Sequence, residues 1–408
     1  MRIPAVLAVL AVTAAAPASR VPFVVHEWGT FTSMQGAPGE ILEGLHHESE
    51  ALPGFVHSRT GSEPSPFARF GDRSLNVRRI HRCTGKMETP VIYFYGGEKR
   101  HVQVHVDFTS GLLTQWYPRE AKMTPAADAT AREIDLGRIA SSSLDWDRDL
   151  VPFESGLPAA MPKVDDGAPW DLARQVHADY VVSGNEADHY VFYRGLGRMD
   201  VPLEVFARDD GAIVKNDTVD IIPAAFAVEM SAHLGRFVAL PQITSGASVN
   251  ASLGDETFLP KAIVIARLEK QMQAALVAQG LFEDEATAMV RTWSETWFGQ
   301  EGRRVLYLVP RAQTDATIPL RITPAPDSLV RVLVGRLVYL APSELAQIEE
   351  ALIARSDRDA TKRDAAEVRL ARLGRFLEPA ARAVLSDSND PRARNGAKDV
   401  LDLFAQAK

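Results

Sequence analysis

The stretch TPVIYFYGGEKRHVQVHVDF, Thr89 to Phe108, carries the clearest fold signal in the sequence. Two β-rich runs, Val91 to Tyr95 and Arg100 to Phe108, flank the pair Gly96-Gly97. The second run alternates between apolar and polar residues, which is the period-two pattern of a strand with one buried face. Glycine pairs between such runs are typical of tight turns, so the sequence predicts a β-hairpin here.

The rest of the chain divides by its pattern. Short strand-like runs continue to about residue 244, a helical period starts near Leu259, strands return near Arg303, and the chain after Pro342 is helical in pattern. The sequence therefore predicts an α+β fold: an antiparallel β-sandwich-like N-terminal region, a mixed α/β segment and a helical C-terminal tail. The predicted segments are a signal peptide 1–18, a β-rich domain 19–245, a mixed α/β segment 246–342 and a helical tail 343–408.

The first segment, MRIPAVLAVLAVTAAAPAS, has the features of a secretory signal peptide. Arg2 gives a basic start, and Ala5 to Ala16 form an apolar core that is short for a bilayer span. Ala16-Pro17-Ala18 supplies small residues for cleavage. No later apolar run is long enough for a transmembrane helix. We therefore expect an exported protein of the periplasm or the extracellular space, with no membrane span in the mature chain.

Composition narrows the class of function. The 408 residues carry a formal charge of −8, which argues against a nucleic-acid partner because such a partner requires a basic surface. Cys83 is the single cysteine, so no internal disulfide can form and stability must come from the core. The sequence lacks a G-x-S-x-G elbow, an H-E-x-x-H motif, a C-x-x-C motif and a Walker loop. The common motif-based enzyme classes are therefore not indicated.

The stretch FVVHEWGTF, from Phe23 to Phe31, sets His26 beside Glu27 and Trp28 and forms a candidate site. In a strand, adjacent residues point to opposite faces, so His26 and Glu27 cannot share a ligand. Glu27 would then lie on an apolar face, where a buried carboxylate needs a partner. Arg194, in the apolar run VFYRG, is our candidate for that partner. We favour a structural strand here over a catalytic or metal-binding pair.

The polar face of RHVQVHVDF offers His101, His105 and Asp107. His101 and His105 would lie about 13 Å apart along a strand, too far to bind one ion. His105 and Asp107 are close enough to cooperate. They complete a candidate dispersed site of a hydrolase, whose members are His26, Glu27, Trp28, His105, Asp107 and Arg194. The alternative is an ordinary solvated sheet face.

Two further clusters are less specific. The region from Pro118 to Asp171 is rich in Pro, Asp and Ser, so we expect a long excursion from the sheets, with LDWDRDL as a charged loop inside it. The alternating acids of LDWDRDL lack the glycine and the final glutamate of a calcium loop. His46 and His47 precede further acids in a Gly/Pro-flanked stretch, and nothing in the sequence fixes their geometry.

The stretch HRCTGKM contains His81, Cys83 and Met87. His81 and Cys83 share a face if this is a strand, and Met87 follows after a glycine. Imidazole, thiolate and thioether form a soft ligand set that suits copper. The more ordinary interpretation places Cys83 and Met87 in the core and His81 at the surface.

The helical tail resembles HEAT-like repeats over about one and a half units, from Lys362 to Phe404, in RLARLGRFLEPAARAVLSDSNDPRARNGAKDVLDLF. A piece this short must pack on the domain before it, because stacked repeats need about three units to stand alone. The resemblance implies a surface that can dock a protein partner.

The combination of HEWGTFTS, KMETPVIYFY, GLLTQWYP, FYRG and DSLVRVLVGR resembles a set of uncharacterised exported bacterial proteins. This resemblance implies export and transfers no activity. The sequence therefore predicts a non-catalytic binding or structural protein of the periplasm or cell envelope. One rival is a soft-metal (copper) binding protein that uses His81, Cys83 and Met87, or His26 with distant partners. The other is a hydrolase with a dispersed His/Glu/Asp site.

Overall fold

The computed structural model describes residues 21–47, 52–59, 79–126 and 133–406. The signal peptide predicted for residues 1–18 lies outside the described residues. Large sheets and a helical C-terminal region confirm the predicted α+β class. Within the described ranges, no helix is long and apolar enough to cross a membrane.

The strands are numbered in chain order and have these bounds: β1 Val24–Gln35, β2 His57–Ser58, β3 Arg79–His81, β4 Gly85–Tyr95, β5 Arg100–Thr109, β6 Gly111–Tyr117, β7 Lys122–Thr124, β8 Glu133–Asp135, β9 Ser141–Val151, β10 Tyr180–Ser183, β11 Glu186–Asp188, β12 Val191–Gly197, β13 Leu203–Arg208, β14 Gly211–Asn216, β15 Ala225–Met230, β16 Leu234–Leu240, β17 Ser248–Ala251, β18 Leu259–Pro260, β19 Gly302–Leu308, β20 Leu320–Thr323 and β21 Ser328–Tyr339. The helices have these bounds: α1 Pro169–Ala173, α2 Lys261–Ala278, α3 Glu283–Ser294, α4 Arg311–Thr317, α5 Pro342–Ala354, α6 Ala360–Ala371, α7 Leu377–Asp387 and α8 Pro391–Gln406. A π-helical turn, Glu295–Gly299, continues α3.

The largest sheet has ten strands in the order β18-β16-β15-β19-β21-β1-β4-β12-β6-β2. Strand β1 lies inside it, parallel to β21 and antiparallel to β4. Almost every residue of β1 is buried, which is why its sequence does not alternate. Strands from both sides of residue 245 belong to this sheet, so the predicted boundary at 245/246 does not coincide with a boundary of the sheet.

The predicted hairpin is wrong. Strand β4 belongs to the ten-stranded sheet, whereas β5 pairs with β9 and β20 in a second sheet. Gly97, at φ 61°, lies in the turn that takes the chain from one layer to the other. The burial patterns give the reason: β4 is buried on both faces, as a middle layer must be, whereas β5 buries only its alternate apolar side chains.

The expected excursion between Pro118 and Asp171 is also partly wrong. It contains β9, which pairs with β5 along ten residues of the second sheet. LDWDRDL lies within this strand: Leu144 and Trp146 point into the core, and the intervening acids from Asp145 to Asp149 face outward. Alternation was present in the sequence, but the density of acidic residues concealed it.

The ten-stranded sheet is covered on both faces. One face packs against the second sheet and the three-stranded sheet β13-β14-β17, around Phe31, Val104 and Leu333. The other face packs against α1, α2 and α3, around Trp28, Met289 and other apolar side chains. The layers are therefore sheet, sheet and helices, and β1 lies in the middle layer.

The helical tail packs at the end of β1 and β21. Helices α5 to α8 share an apolar core with Met34, Leu42 and Leu340. Arg375, in the turn before α7, also forms a buried ion pair with Glu88 of β4, with Nη1 and Oε1 2.6 Å apart. The tail thus shares both apolar and ionic contacts with the large sheet.

Candidate functional site

Glu27 is fully buried between the two sheets and is neutralised by Arg331. Its Oε2 lies 2.6 Å from Arg331 Nε, and the Tyr193 hydroxyl donates to its Oε1. The parallel register of β1 and β21 places Glu27 opposite Arg331. The prediction of an arginine partner is correct in type, but the residue is Arg331 and not Arg194. Burial and the Glu27 carboxylate raise the pKa of Tyr193 far above its usual range, so the hydroxyl keeps its proton and donates a hydrogen bond to Glu27.

His26 and Trp28 lie on the opposite, helix-covered face, as strand geometry requires. His26 Nδ1 is 2.7 Å from Glu285 Oε2 on α3, and the Tyr95 hydroxyl donates to Glu285 Oε1 at 2.8 Å. Trp28 is fully buried against Tyr93. These contacts hold α3 on the sheet, so His26 and Glu27 have separate partners on separate faces.

His105 and Asp107 lie on the outer face of the second sheet. His105 Nδ1 is 2.6 Å from Asp145 Oδ1, and its Nε2 is 3.0 Å from Asp107 Oδ2. Both side chains are partly exposed. The predicted hydrolase residues are therefore distributed over three places: Glu27 between the sheets, His26 under α3, and His105 with Asp107 on the outer face. The structure does not bring them together.

The residues of the copper hypothesis lie in three different environments. His81 is exposed. Cys83 is fully buried in a small apolar cluster, where its Sγ lies 3.3 Å from the Leu45 carbonyl oxygen. Met87 belongs to the large core between the sheets. Burial raises the pKa of the Cys83 thiol to about 12, which disfavours the thiolate that a metal would need.

Arg194 lines a cavity of about 440 Å³ on the helix-covered face. Its Nη2 lies 3.5 Å from Thr89 Oγ1, and its guanidinium carbon lies 5.9 Å from the centre of the Phe192 ring. Trp170 and Trp293 contribute further aromatic walls. Glu88 also lines this cavity. Its ion-pair partner Arg375, from the helical tail, lines a second and larger cleft.

That larger cleft has a volume of about 760 Å³ and lies between the large sheet and the helical tail. Its charged lining is dominated by arginines, with two glutamates beside them: Arg303, Arg304, Arg336, Arg369, Arg372, Arg375, Glu301 and Glu344. Arg304 comes from β19, Arg336 from β21, and Arg375 from the turn before α7. The chain has an overall negative charge, so this local excess of cations sets the cleft apart from the average of the chain.

Arg336 is the least satisfied of these arginines. It is 2% exposed, and its Nη2 donates to Gln300 Oε1 at 2.6 Å. Its Nε and Nη1 are buried and have no hydrogen-bond partner among the described residues. Burial, together with the nearby charges of Arg375 and Arg304, lowers the pKa of Arg336 well below its usual range. The Phe376 ring lies 5.1 Å from its guanidinium and supplies only a weak cation–π contact.

The two neighbouring buried arginines differ in their partners. Arg375 donates from Nη1 and Nη2 to the Glu88 carboxylate, and its buried Nε has no partner among the described residues. Burial raises the pKa of Glu88, but the charges of Arg375 and Lys86 outweigh it and hold that pKa well below its usual range. Arg304 donates to backbone carbonyl oxygens, among them that of Gly302 at 3.0 Å, and burial lowers its pKa to about 10. The cleft therefore holds cationic donors with unused capacity.

Our sequence interpretation missed this cleft. A usable signal was present: Arg304 lies in RRVLYLVP and Arg336 in LVRVLVGR, both apolar strand-like runs. The argument that a buried Glu27 needs a partner applies equally to arginines in such runs. The position of Arg375 could not be inferred in this way, because it depends on how the tail docks on the sheet.

No model of a known protein family matches the chain, and no curated protein sequence matches it significantly. Among solved structures, one similar chain is the yeast delta-COP-I mu-homology domain complexed with a Dsl1 WxWxV peptide, at 7% sequence identity and a TM-score of 0.24. The match covers 78% of this chain and 96% of that chain. A similarity at this level supports no conclusion about fold or function.

Proposed function

We propose that this protein is an exported, non-catalytic binding protein that holds an anionic small molecule. The ligand lies in the arginine-lined cleft of about 760 Å³ between the large sheet and the helical tail, which we call the arginine cleft. Arg336 carries the proposal, because it is buried and two of its nitrogens have no hydrogen-bond partner among the described residues. Leaving a buried donor without a partner costs about 1–3 kcal/mol, and more for a charged group. An anion that supplies acceptor oxygens recovers this free energy when it binds.

The lining favours a ligand with an anionic head and an apolar body. Guanidinium groups bind carboxylates and phosphates through paired hydrogen bonds, and Arg336 with Arg375 offers several such donors. Leu340, Ile348 and Phe376 add apolar surface to the same cleft. The volume of about 760 Å³ lies within the roughly 300–1,000 Å³ that is typical of small-molecule sites.

The lining also favours binding over hydrolysis. Among the described residues that line the cleft there is no histidine, cysteine, serine or lysine. A hydrolase needs a nucleophile or an activated water beside a general base. Glu301 and Glu344 are the carboxylates among these lining residues, and no histidine, serine or cysteine stands beside them, whereas six arginines supply donors for an anion.

Calorimetric titration of the full chain tests this proposal with three probes: inorganic phosphate, phenyl phosphate and benzoate. We expect phenyl phosphate or benzoate to bind, depending on whether the natural head group is a phosphate or a carboxylate, and we expect inorganic phosphate to bind more weakly. Binding should weaken as KCl is raised, because it is an ion-pairing interaction. If none of the three probes binds, the proposal is wrong.

The Arg336→Met variant identifies the site. We expect it to weaken binding by roughly 10–100-fold, because a charge-assisted hydrogen bond contributes about 1.5–3 kcal/mol. Arg321→Met is the matched control, since Arg321 is an exposed arginine on the second sheet. Equal affinity in Arg336→Met and Arg321→Met would place any observed binding elsewhere.

Export is the part of the proposal supported by residues 1–18. In a Gram-negative host that expresses the full chain, we expect the mature protein in the periplasmic fraction, with an N-terminus close to Ala18. Cell fractionation followed by N-terminal sequencing measures this. An intact N-terminus on protein found only in the cytoplasm would contradict export.

A further inference from the structure

A second cluster of polar side chains lies where the loop after β1 meets the tail. His46 and His47 come from this loop, and Glu378 comes from the first turn of α7. One ligand atom from each of the three lies within 4.8 Å of the others. Their side chains are 8%, 3% and 4% exposed, respectively. The cluster is therefore buried and lies outside the arginine cleft.

The spacing of these atoms fits a tetrahedral metal ion. Glu378 Oε2 lies 2.8 Å from His47 Nε2 and 3.8 Å from His46 Nε2. In a zinc site each ligand lies about 2.0–2.1 Å from the metal, so tetrahedral ligand atoms lie roughly 3.3 Å apart. The two observed distances fall on either side of that value, so metal binding would lengthen the His47–Glu378 distance by about 0.5 Å and shorten the His46–Glu378 distance by about 0.5 Å.

His46 supplies an independent observation. Its side chain is more than nine-tenths buried, and its Nδ1 has no hydrogen-bond partner among the described residues. Buried imidazole nitrogens normally bond to a protein group or to a metal ion. His46 Nε2, which faces the carboxylate, lies 3.8 Å from Glu378 Oε2 and is beyond hydrogen-bond distance of it. The hydrogen bond between His47 and Glu378 therefore does not account for the position of the buried His46 ring, whereas a metal ion bound at His46 Nε2 would.

Neighbouring groups hold the ligands in place. Arg382 donates from Nη2 to Glu378 Oε1 at 2.6 Å, which leaves Oε2 facing the histidines. Lys86 Nζ donates to the His47 carbonyl oxygen at 2.9 Å and fixes the loop. Such supporting hydrogen bonds orient metal ligands, although the two positive charges also reduce the affinity for a dication.

We propose that His46, His47 and Glu378 bind a divalent transition metal of the zinc class. Two imidazoles and one carboxylate form a ligand set that zinc uses in proteins, and a fourth position remains for water. The ion would join the loop after β1 to α7, one helical turn beyond Arg375. This proposal does not depend on the anion-binding function.

Zinc binding to the untagged full chain is measured by competition with a chromophoric chelator. We expect one equivalent of Zn²⁺ to bind and to raise the Tm, since the ion binds only the folded chain. His46→Gln should weaken the affinity by more than about 100-fold, because the loss of outer-shell partners alone costs roughly 10–100-fold. This variant should fold normally, since His46 Nδ1 makes no hydrogen bond to a described residue that would be lost.

Two controls make the result decisive. His101→Gln removes an exposed histidine that lies between Asp147 and Asp149, and we expect it to bind Zn²⁺ like the wild type. Co²⁺ in place of Zn²⁺ should give the intense visible absorption of tetrahedral cobalt in the wild type and not in His46→Gln. The proposal is overturned if the wild type binds no Zn²⁺, or if His46→Gln binds it equally well. The cluster would then be a hydrogen-bonded anchor of the tail.

Discussion

Strand β21 carries two arginines five positions apart, and their environments are opposite. Arg331 points between the sheets, where its Nε lies 2.6 Å from Glu27 Oε2 and its Nη1 lies 2.7 Å from Asp315 Oδ1. Arg336 points to the face covered by the helices and the tail. Its only described hydrogen-bond partner is the side-chain amide of Gln300.

Under the proposed function, arginine serves the architecture at position 331 and binding at position 336. Removing a guanidinium from water is costly, and only a well-placed carboxylate with further acceptors offsets that cost. Arg331 has carboxylates on two of its nitrogens and the Ile318 carbonyl oxygen on the third. Arg336 lacks these partners, and the proposed function assigns its unused donors to a ligand in the cleft.

The largest effect that we predict is the loss of stability on removal of Arg331, the paired arginine. Arg331→Met leaves the Glu27 carboxylate buried without its cation, and breaking a buried ion pair in this way costs about 3–5 kcal/mol. We expect the free energy of unfolding to fall by that amount, as measured by urea denaturation followed by circular dichroism. A loss below about 1 kcal/mol would mean that Arg331 does not stabilise the buried charge of Glu27.

The matched control for this prediction is the double variant Glu27→Gln/Arg331→Met. It removes both charges, so much of the stability lost in Arg331→Met should return. A double-mutant cycle then gives the coupling energy of the pair directly. If the losses of stability in the two single variants, Glu27→Gln and Arg331→Met, simply add up in the double variant, the two residues are not coupled.

The unpaired arginine should respond with the opposite sign. Arg336→Met removes a buried charge that has no carboxylate partner, so we expect the free energy of unfolding to rise by about 1–2 kcal/mol while anion binding weakens. The same urea titration measures this change. A destabilisation comparable to that of Arg331→Met would make Arg336 part of the architecture and would abolish the contrast.

The smallest effect concerns pH and the Glu88–Arg375 pair, which joins the tail to the sheet. The folded state holds the pKa of Glu88 well below the ordinary value of 4.5. This carboxylate therefore contributes stability that is fully present above about pH 4.5 and is lost as the pH falls toward the folded pKa. We expect the urea concentration at the midpoint of unfolding to decrease as the pH is lowered below 4.5. This decrease should be smaller in Glu88→Gln than in the wild type.

Other carboxylates titrate in the same pH range. The informative quantity is therefore the difference between the wild type and Glu88→Gln in the slope of the urea midpoint against pH. Glu378 is one of them: burial raises its pKa, but the His47 hydrogen bond and neighbouring charges outweigh it and lower the pKa to about 2. Identical slopes for the wild type and Glu88→Gln would show that the Glu88–Arg375 pair does not contribute to the pH dependence.

Predictions from local pattern succeeded where a short stretch was sufficient. The alternation in β5 correctly separated buried Val102, Val104 and Val106 from the polar side chains between them. Strand parity correctly sent His26 and Glu27 to different faces. The partners of the strands were harder to predict from the sequence. Glycine at a turn permits a sharp change of direction, but it does not specify which strand comes to lie alongside.

The sequence by itself determined that the chain is α+β, that His26 and Glu27 point to opposite faces of their strand, and that a buried Glu27 requires a cation. These conclusions follow from side-chain periodicity and from the cost of burying a charge. Only the tertiary structure decided that the cation is Arg331, 304 positions away, and that His46, His47 and Glu378 meet at the tail. Long-range strand pairing and helix docking bring those atoms together, and no local pattern encodes such distances.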